Sequence, residues 1–362
     1  MTPLRRSHLH SAAFLLLCAA LTAPAVFAQD FWLNGQYSVV TYKPSRPSSP
    51  YGWKVDVTYP TGNSGSFPLI FMFNGMECQA SWYKDIVDHV ASWGYVIVQY
   101  TTGPSYPFMF GERKEVQYLT PLLQWLEKDA PVQEPELAGK IDFSRKAVMG
   151  HSRGGKLASL HYANSTNNFT TAVLFDPVDC SFFAQRDMHP SAIAALAGVD
   201  AACDLNNPAP HGPSSLSAAI IGAGKTGGCN PEGNNADAFF ETLSSQSLYI
   251  KVKEAGHMTF ARPADWSLFY WILDQVTCGT CSCSNITSEE VIYEARTMAV
   301  AWLESKFWPS QKTTARLARY KERLDNLTSK GVDTIRWPFG GVSASNPLGA
   351  GVEVPADAAA VN

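Results

Sequence analysis

Lys146-Ala147-Val148-Met149-Gly150-His151-Ser152-Arg153-Gly154-Gly155-Lys156-Leu157-Ala158-Ser159-Leu160 is the stretch on which the fold of this chain turns. A strand-like run, Lys146 to Met149, passes through glycines into a helix-forming run that begins at Lys156. Ser152 therefore falls at the tip of a strand-to-helix turn with the spacing G-x-S-x-G. So sharp a turn tolerates only small neighbours, which Gly150 and Gly154 provide, and it leaves the Ser152 hydroxyl exposed for attack. The alternative, a glycine-rich turn without chemistry, is weakened by the flanking strand and helix.

Outward from this elbow, strand-like and helix-like segments alternate, the pattern of a mostly parallel sheet with helices on both faces. Lys54 to Tyr59 alternates as a strand. Phe67 to Phe73 is a continuous apolar run of the kind buried on both sheet faces. Ala80 to Trp93 carries one apolar helical stripe ended by Gly94, and Tyr95 to Tyr100 is the next buried strand. Gly103 to Gly111 is expected to be an aromatic, proline-containing loop, followed by a helix from Glu115 to Lys128. Beyond the elbow come strands at Thr171 to Phe175, Ala218 to Gly222 and Leu248 to Val252, then a helix from Asp265 to Val276. This succession predicts an α/β-hydrolase fold, with the catalytic domain spanning 29–277.

Residues 278–339 look like a helical C-terminal extension, an appendage to that domain. The capping box Thr287-Ser288-Glu289-Glu290 opens a helix through about Phe307, and a second helix covers Ala315 to Thr328. Residues 340–362, rich in Gly, Ala and Pro, read as a flexible tail. At the other end, Arg5 and Arg6 precede an apolar run and the small residues Ala25-Val26-Phe27-Ala28, so 1–28 read as a cleaved leader. The apolar run is too short to span a bilayer.

The chain has 362 residues, 46% hydrophobic and 17% charged, with a net charge of −4. That balance describes a large globular core and argues against a nucleic-acid partner. The basic cluster from Arg316 to Arg323 reads as a solvated helix face. Once Cys18 leaves with the leader, Cys78, Cys180, Cys203, Cys229, Cys278, Cys281 and Cys283 remain. Disulfides and at least one unpaired thiol are expected, in an oxidising compartment. Cys278-x-x-Cys281-x-Cys283 lacks a second ligand pair at zinc spacing, so no metal is expected.

A serine hydroxyl becomes a nucleophile when an imidazole takes its proton and a carboxylate orients that imidazole. His257, directly after the last strand in Glu254-Ala255-Gly256-His257, stands where this fold places its base. For the acid, Asp176 ends the strand after the elbow helix, and Asp179 is its rival three residues on. The oxyanion hole requires two backbone N–H donors, expected from Arg153 and from Met76 in Asn74-Gly75-Met76. Tyr106, Pro107, Phe108, Met109 and Phe110, together with Asn74 and Gly75, are candidate substrate contacts, the aromatic residues being equally consistent with packed core.

Gly-His-Ser-Arg-Gly-Gly-Lys at 150–156, Asp-Pro-Val-Asp at 176–179 and Gly-His at 256–257 resemble the chlorophyllases, over roughly residues 50 to 275. Arg153 followed by Gly-Gly-Lys carries most of that resemblance. It implies Ser152 as nucleophile, Asp176 as acid and His257 as base, hydrolysis of the phytyl ester of chlorophyll through an acyl-serine, and no cofactor. It further implies a chloroplast location, thylakoid-associated or lumenal, with contact to a lipid surface; the leader alone equally fits the secretory pathway. The leader and the extension after Cys278 differ from most plant members and point to an algal form. Asn74-Gly75 stands where His-Gly is usual. Two other readings share the fold: a lipid esterase of cutinase or acetylhydrolase type, and a binding protein with a vestigial triad.

Overall fold

The computed structural model describes residues 29–44, 53–62, 65–102, 106–181, 186–205, 212–263, 281 and 283–340, with backbone alone at 106–110 and 186–187. The leader, the helix expected from Asp265 to Val276 and the tail after Gly340 lie outside them. Strands β1 (Val39–Tyr42), β2 (Lys54–Pro60), β3 (Phe67–Phe73), β4 (Val96–Thr101), β5 (Ile141–His151), β6 (Thr171–Phe175), β9 (Ala218–Ala223), β10 (Leu248–Val252) and β11 (Val332–Arg336) form one sheet. Its order is β1-β2-β4-β3-β5-β6-β9-β10-β11. The strands from β4 to β10 run parallel, and antiparallel pairs close both edges. The remaining strands, β7 (Arg186–Pro190) and β8 (Ala202–Cys203), pair apart from the sheet. This is the α/β-hydrolase architecture.

Burial follows the period of two along each strand. Ile70 and Met72 of β3, with Ala147 and Met149 of β5, enter one core layer; Leu69, Phe71, Phe73 and Val148 enter the other. Among the described residues the helices are α1 (Lys84–Ser92), α2 (Tyr106–Glu115), α3 (Leu119–Lys128), α4 (Ala130–Gln133), α5 (Arg153–Ala163), α6 (Ala192–Leu196), α7 (Ala236–Thr242), α8 (Ser288–Phe307) and α9 (Gln311–Leu327). Helices α1 and α8 supply the first layer and α3, α5, α6 and α7 the second.

Two expectations need correction. The backbone of 106–110, expected as loop, opens helix α2, which kinks at Gly111, where φ is 62°. The segment after Cys281 is more than an appendage. Helix α8, with the Thr287–Glu290 capping box in place, lies in the core against the sheet. There Trp302 Nε1 donates to Thr171 Oγ1 at 2.8 Å and Tyr95 OH donates to Glu304 Oε1 at 2.9 Å. Strand β11 then pairs with β10. The burial of Val291, Ala295, Met298, Val300, Trp302 and Leu303 is what a single continuous core requires.

The basic face of α9 is likewise engaged. Arg319 pairs with Asp30 at 2.5 Å, Arg316 lies over the rings of Phe31 and Trp93, and Arg323 lies over Trp32. These arginines dock the N-terminal residues, through contacts their spacing alone could not show.

Burial also sets an acid limit on stability. It lowers His89 to about 4 and His161 to about 3, and drives His151 well below 6.5. The unfolded chain binds those protons near pH 6.5 and the native state does not. Stability from these groups is therefore fully present above about pH 6.5 and is lost as pH falls toward 4. Glu304, raised by burial to about 7, acts oppositely, its contribution disappearing as pH rises through 7. Three histidines against one carboxylate predict a net loss of stability as pH falls from 7 toward 5. Urea midpoints at pH 7, 6 and 5 check this; a midpoint constant over that interval would show that the histidines protonate in the native state.

Candidate active site

The order β4-β3-β5-β6 places successive connections on opposite sides of the gap between β3 and β5, a topological switch point that opens a crevice at the strands' carboxyl ends. Components of the site arrive there from separate strands: Gly75 and Met76 after β3, Ser152 after β5, Asp176 after β6 and His257 after β10. Ser152 has φ 57° and ψ −126°, a sparsely populated conformation that costs on the order of 1–3 kcal/mol and survives only where the surroundings enforce it. They do: a Cβ on Gly150 would lie 2.1 Å from the Gly154 carbonyl oxygen, and one on Gly154 would lie 2.0 Å from that of Phe73.

Ser152 Oγ lies 2.7 Å from His257 Nε2, and His257 Nδ1 lies 2.6 Å from Asp176 Oδ2. Asp176 is fully buried and held from two further directions. Its Oδ1 accepts the Ala223 N–H at 3.0 Å, and its Oδ2 accepts Asn230 Nδ2 at 3.1 Å. Asp176 is thus a fixed acceptor beside His257 Nδ1, and His257 Nε2 faces the Ser152 hydroxyl.

Asp179 is occupied elsewhere. Its carboxylate accepts Ser191 Oγ at 2.5 Å and the Ala192 N–H at 2.6 Å, so it fixes the start of α6. Asn74, expected as a substrate contact, is turned into the sheet, where it donates to the Tyr100 carbonyl and accepts from Gln99. The side chains of Tyr106, Phe108, Met109 and Phe110 lie outside the described residues. Met76 and Arg153, the expected oxyanion donors, both line the cavity beside Ser152. Arg153 is the first residue of α5, where a backbone N–H has no acceptor within the helix.

The cavity holds about 200 Å³ and is bounded by Met76, Trp82, Ser152, Val178, His257 and Met258, among others, with Cys229 and Cys281 in its wall. Disulfides join Cys229 to Cys281 and Cys180 to Cys203, with Cα atoms 4.7 and 5.3 Å apart. Cys283 is also disulfide-bonded. These sulfurs are committed to cross-links, and among the described residues the unpaired thiol is Cys78, buried and pushed up to about 12 by that burial.

Several residues at the site escaped the sequence reading. Beneath the elbow, the Arg153 side chain donates to Glu112 and Glu115, each at 2.5 Å, while Glu112 also meets His189 at 2.8 Å and Lys156 at 3.4 Å. Burial opposes the Arg153 charge, yet the carboxylates of Glu115 and Glu112 outweigh it and raise its pKa. Burial alone would raise Glu112; Lys156 and Arg153 instead hold it far below the usual carboxylate range. The i,i+3 spacing of Glu112 and Glu115 on one helix face was the available signal. Nothing local marked Asn230.

A mostly parallel sheet of this order, bearing a serine elbow and a following acid and histidine at its strand ends, defines an α/β-hydrolase. Within that class the chain belongs to the chlorophyllase family, whose profile matches residues 27–324. It is 27% identical to the chloroplastic Chlorophyllase-1 of Citrus sinensis over 272 residues, 72% of this chain and 75% of that protein. Over the same length and shares it is 26% identical to the chloroplastic Chlorophyllase-1 of Citrus unshiu. To Chlorophyllase-2 of Arabidopsis thaliana it is 24% identical over 228 residues, 59% of this chain and 67% of that protein. The chain is accordingly a hydrolase of the chlorophyllase family.

Proposed function

We propose that this protein is a serine esterase that hydrolyses the phytyl ester of chlorophyll to chlorophyllide and phytol. The observation that carries the reading is the unbroken series from Ser152 Oγ through His257 to Asp176, at 2.7 and 2.6 Å, in a chain of this family. His257 Nε2 takes the Ser152 proton as Oγ attacks the ester carbonyl. The N–H groups of Met76 and Arg153 receive the developing oxyanion. The intermediate collapses with expulsion of phytol, protonated by His257, and water then releases the acid from Ser152 by the same steps reversed. This chemistry requires no cofactor.

A space of about 200 Å³ lies below the ~300 Å³ at which enclosed sites for small molecules begin. Only the ester-bearing arm of a tetrapyrrole enters it; the macrocycle rests outside, at the mouth, where contact with a lipid surface brings it. The same small volume favours a second reading, an esterase for short acyl groups on lipids. The names of the citrus relatives support a chloroplast location, and disulfides fit a compartment that permits them.

Incubating the purified protein with chlorophyll in detergent, alone and with tributyrin as competitor, and separating pigments by chromatography, tests this. Chlorophyllide is expected from the wild type and not from Ser152→Ala. Tributyrin cleavage without chlorophyllide formation would replace the proposal with the second reading.

A further inference from the structure

His151 sits in the elbow beside the serine, fully buried, yet the acyl-transfer steps above do not use it. Its ring is hydrogen-bonded at both nitrogens. Nε2 lies 3.0 Å from the carbonyl oxygen of His257, an obligate acceptor, so Nε2 carries the proton and Nδ1 is the acceptor. The partner at Nδ1 is the Tyr83 hydroxyl, 2.9 Å away, which must donate. That hydroxyl in turn accepts the Gly75 N–H at 2.9 Å. A continuous line of donors runs from the oxyanion loop through Tyr83 and His151 to the backbone of the base: Gly75 N–H to Tyr83, Tyr83 O–H to His151, His151 N–H to His257.

We propose that Tyr83 and His151 are positioning residues of this esterase, a buried brace that holds the oxyanion loop and the His257 loop at a set separation around Ser152. The inference rests on the acyl-enzyme reading of the site. Three features support it. The brace occupies the Gly75 N–H, so the second oxyanion donor falls to Met76, one residue on. A Cβ at position 75 would press directly on it, lying 3.0 Å from the Tyr83 hydroxyl and 3.1 Å from His151 Nδ1. His151 is also neutral within it: burial, with the neighbouring His257, lowers its pKa well below 6.5. The two imidazoles are 5.0 Å apart between ring centres, and a second positive charge there would oppose the imidazolium that must form at His257.

Displacing catalytic groups by about 1 Å can cost on the order of 100-fold in rate. Tyr83→Phe removes one oxygen and keeps the ring in its pocket. It is expected to lower kcat for p-nitrophenyl butyrate about 10- to 100-fold with KM within about twofold, and to slow fluorophosphonate labelling of Ser152 comparably. His151→Leu should do the same. His151→Gln, which offers one amide donor and one amide acceptor, should recover most of that loss. Circular dichroism and thermal melts establish that each variant is folded. A folded Tyr83→Phe with wild-type kcat overturns the brace, as does a His151→Gln no better than a folded His151→Leu. Wild-type protein inert to both the ester and the fluorophosphonate would instead overturn the acyl-enzyme reading, and the brace with it.

Discussion

Ser152→Ala and His257→Ala are each expected to lower kcat by on the order of 10⁵- to 10⁶-fold, and Asp176→Asn by about 10⁴-fold, because in the proposed mechanism the three groups act on one barrier as a unit. Alanine at 152 removes the attacking oxygen. Alanine at 257 leaves the serine proton with no acceptor at 2.7 Å. Asparagine at 176 can present an N–H to His257 Nδ1 and so stabilise the wrong tautomer. Asp179→Asn provides the contrast. Its carboxylate serves Ser191 and Ala192 at the start of α6, so the cost falls on stability, about 1–2 kcal/mol, with turnover kept within about tenfold. Steady-state rates on all four variants, each shown folded by circular dichroism, decide the matter. An active Asp176→Asn beside an inactive Asp179→Asn would transfer the role of acid to Asp179.

Arg153→Met is expected to cost stability heavily while sparing the chemistry. The guanidinium lies between Glu112 and Glu115, all three being buried. Removing one member of a buried ion pair strands the other charges, a loss of about 3–5 kcal/mol. Glu112 keeps Lys156 and His189 as neighbours, whereas Glu115 keeps the Tyr100 hydroxyl. Arg153→Lys rescues little, since one ammonium cannot reproduce a fork that meets two carboxylates. The backbone N–H at position 153 is unchanged, so the folded fraction should retain kcat. Guanidinium unfolding measures the loss. A midpoint shift equivalent to less than about 1 kcal/mol would mean that the cluster is solvated and its charges are independently satisfied.

The contrast between Asp176 and Asp179 shows how far local sequence carries. Both acids lie within four residues of each other, beside one proline, after one strand. The strand's end was legible from the apolar run Thr171–Phe175, and with it the position a catalytic acid takes in this fold. The elbow was legible for a related reason: glycine at 150 answers a steric demand made by Gly154 and Gly155, close in the chain, whereas the demand at 154 comes from Phe73 and Asn74 at the end of the neighbouring strand. Continuous apolar runs such as Phe67–Phe73 announced buried parallel strands because both sheet faces must be covered.

Sequence by itself thus determined the features whose causes are local: strand and helix periods, the elbow, the capping box at Thr287, and the placing of Ser152, Asp176 and His257 at successive strand ends. Only tertiary structure decided what depends on partners far along the chain. Helix α8 belongs to the core because Trp302 and Glu304 meet Thr171 and Tyr95, and the arginines of α9 are engaged because Asp30, Phe31 and Trp32 return to them. Asn230 steadies Asp176 across 54 residues, and Tyr83 reaches His151 across 68. Hydrogen bonds and ion pairs of this kind leave no periodicity in the sequence, since their geometry exists only once the sheet has brought its strand ends together.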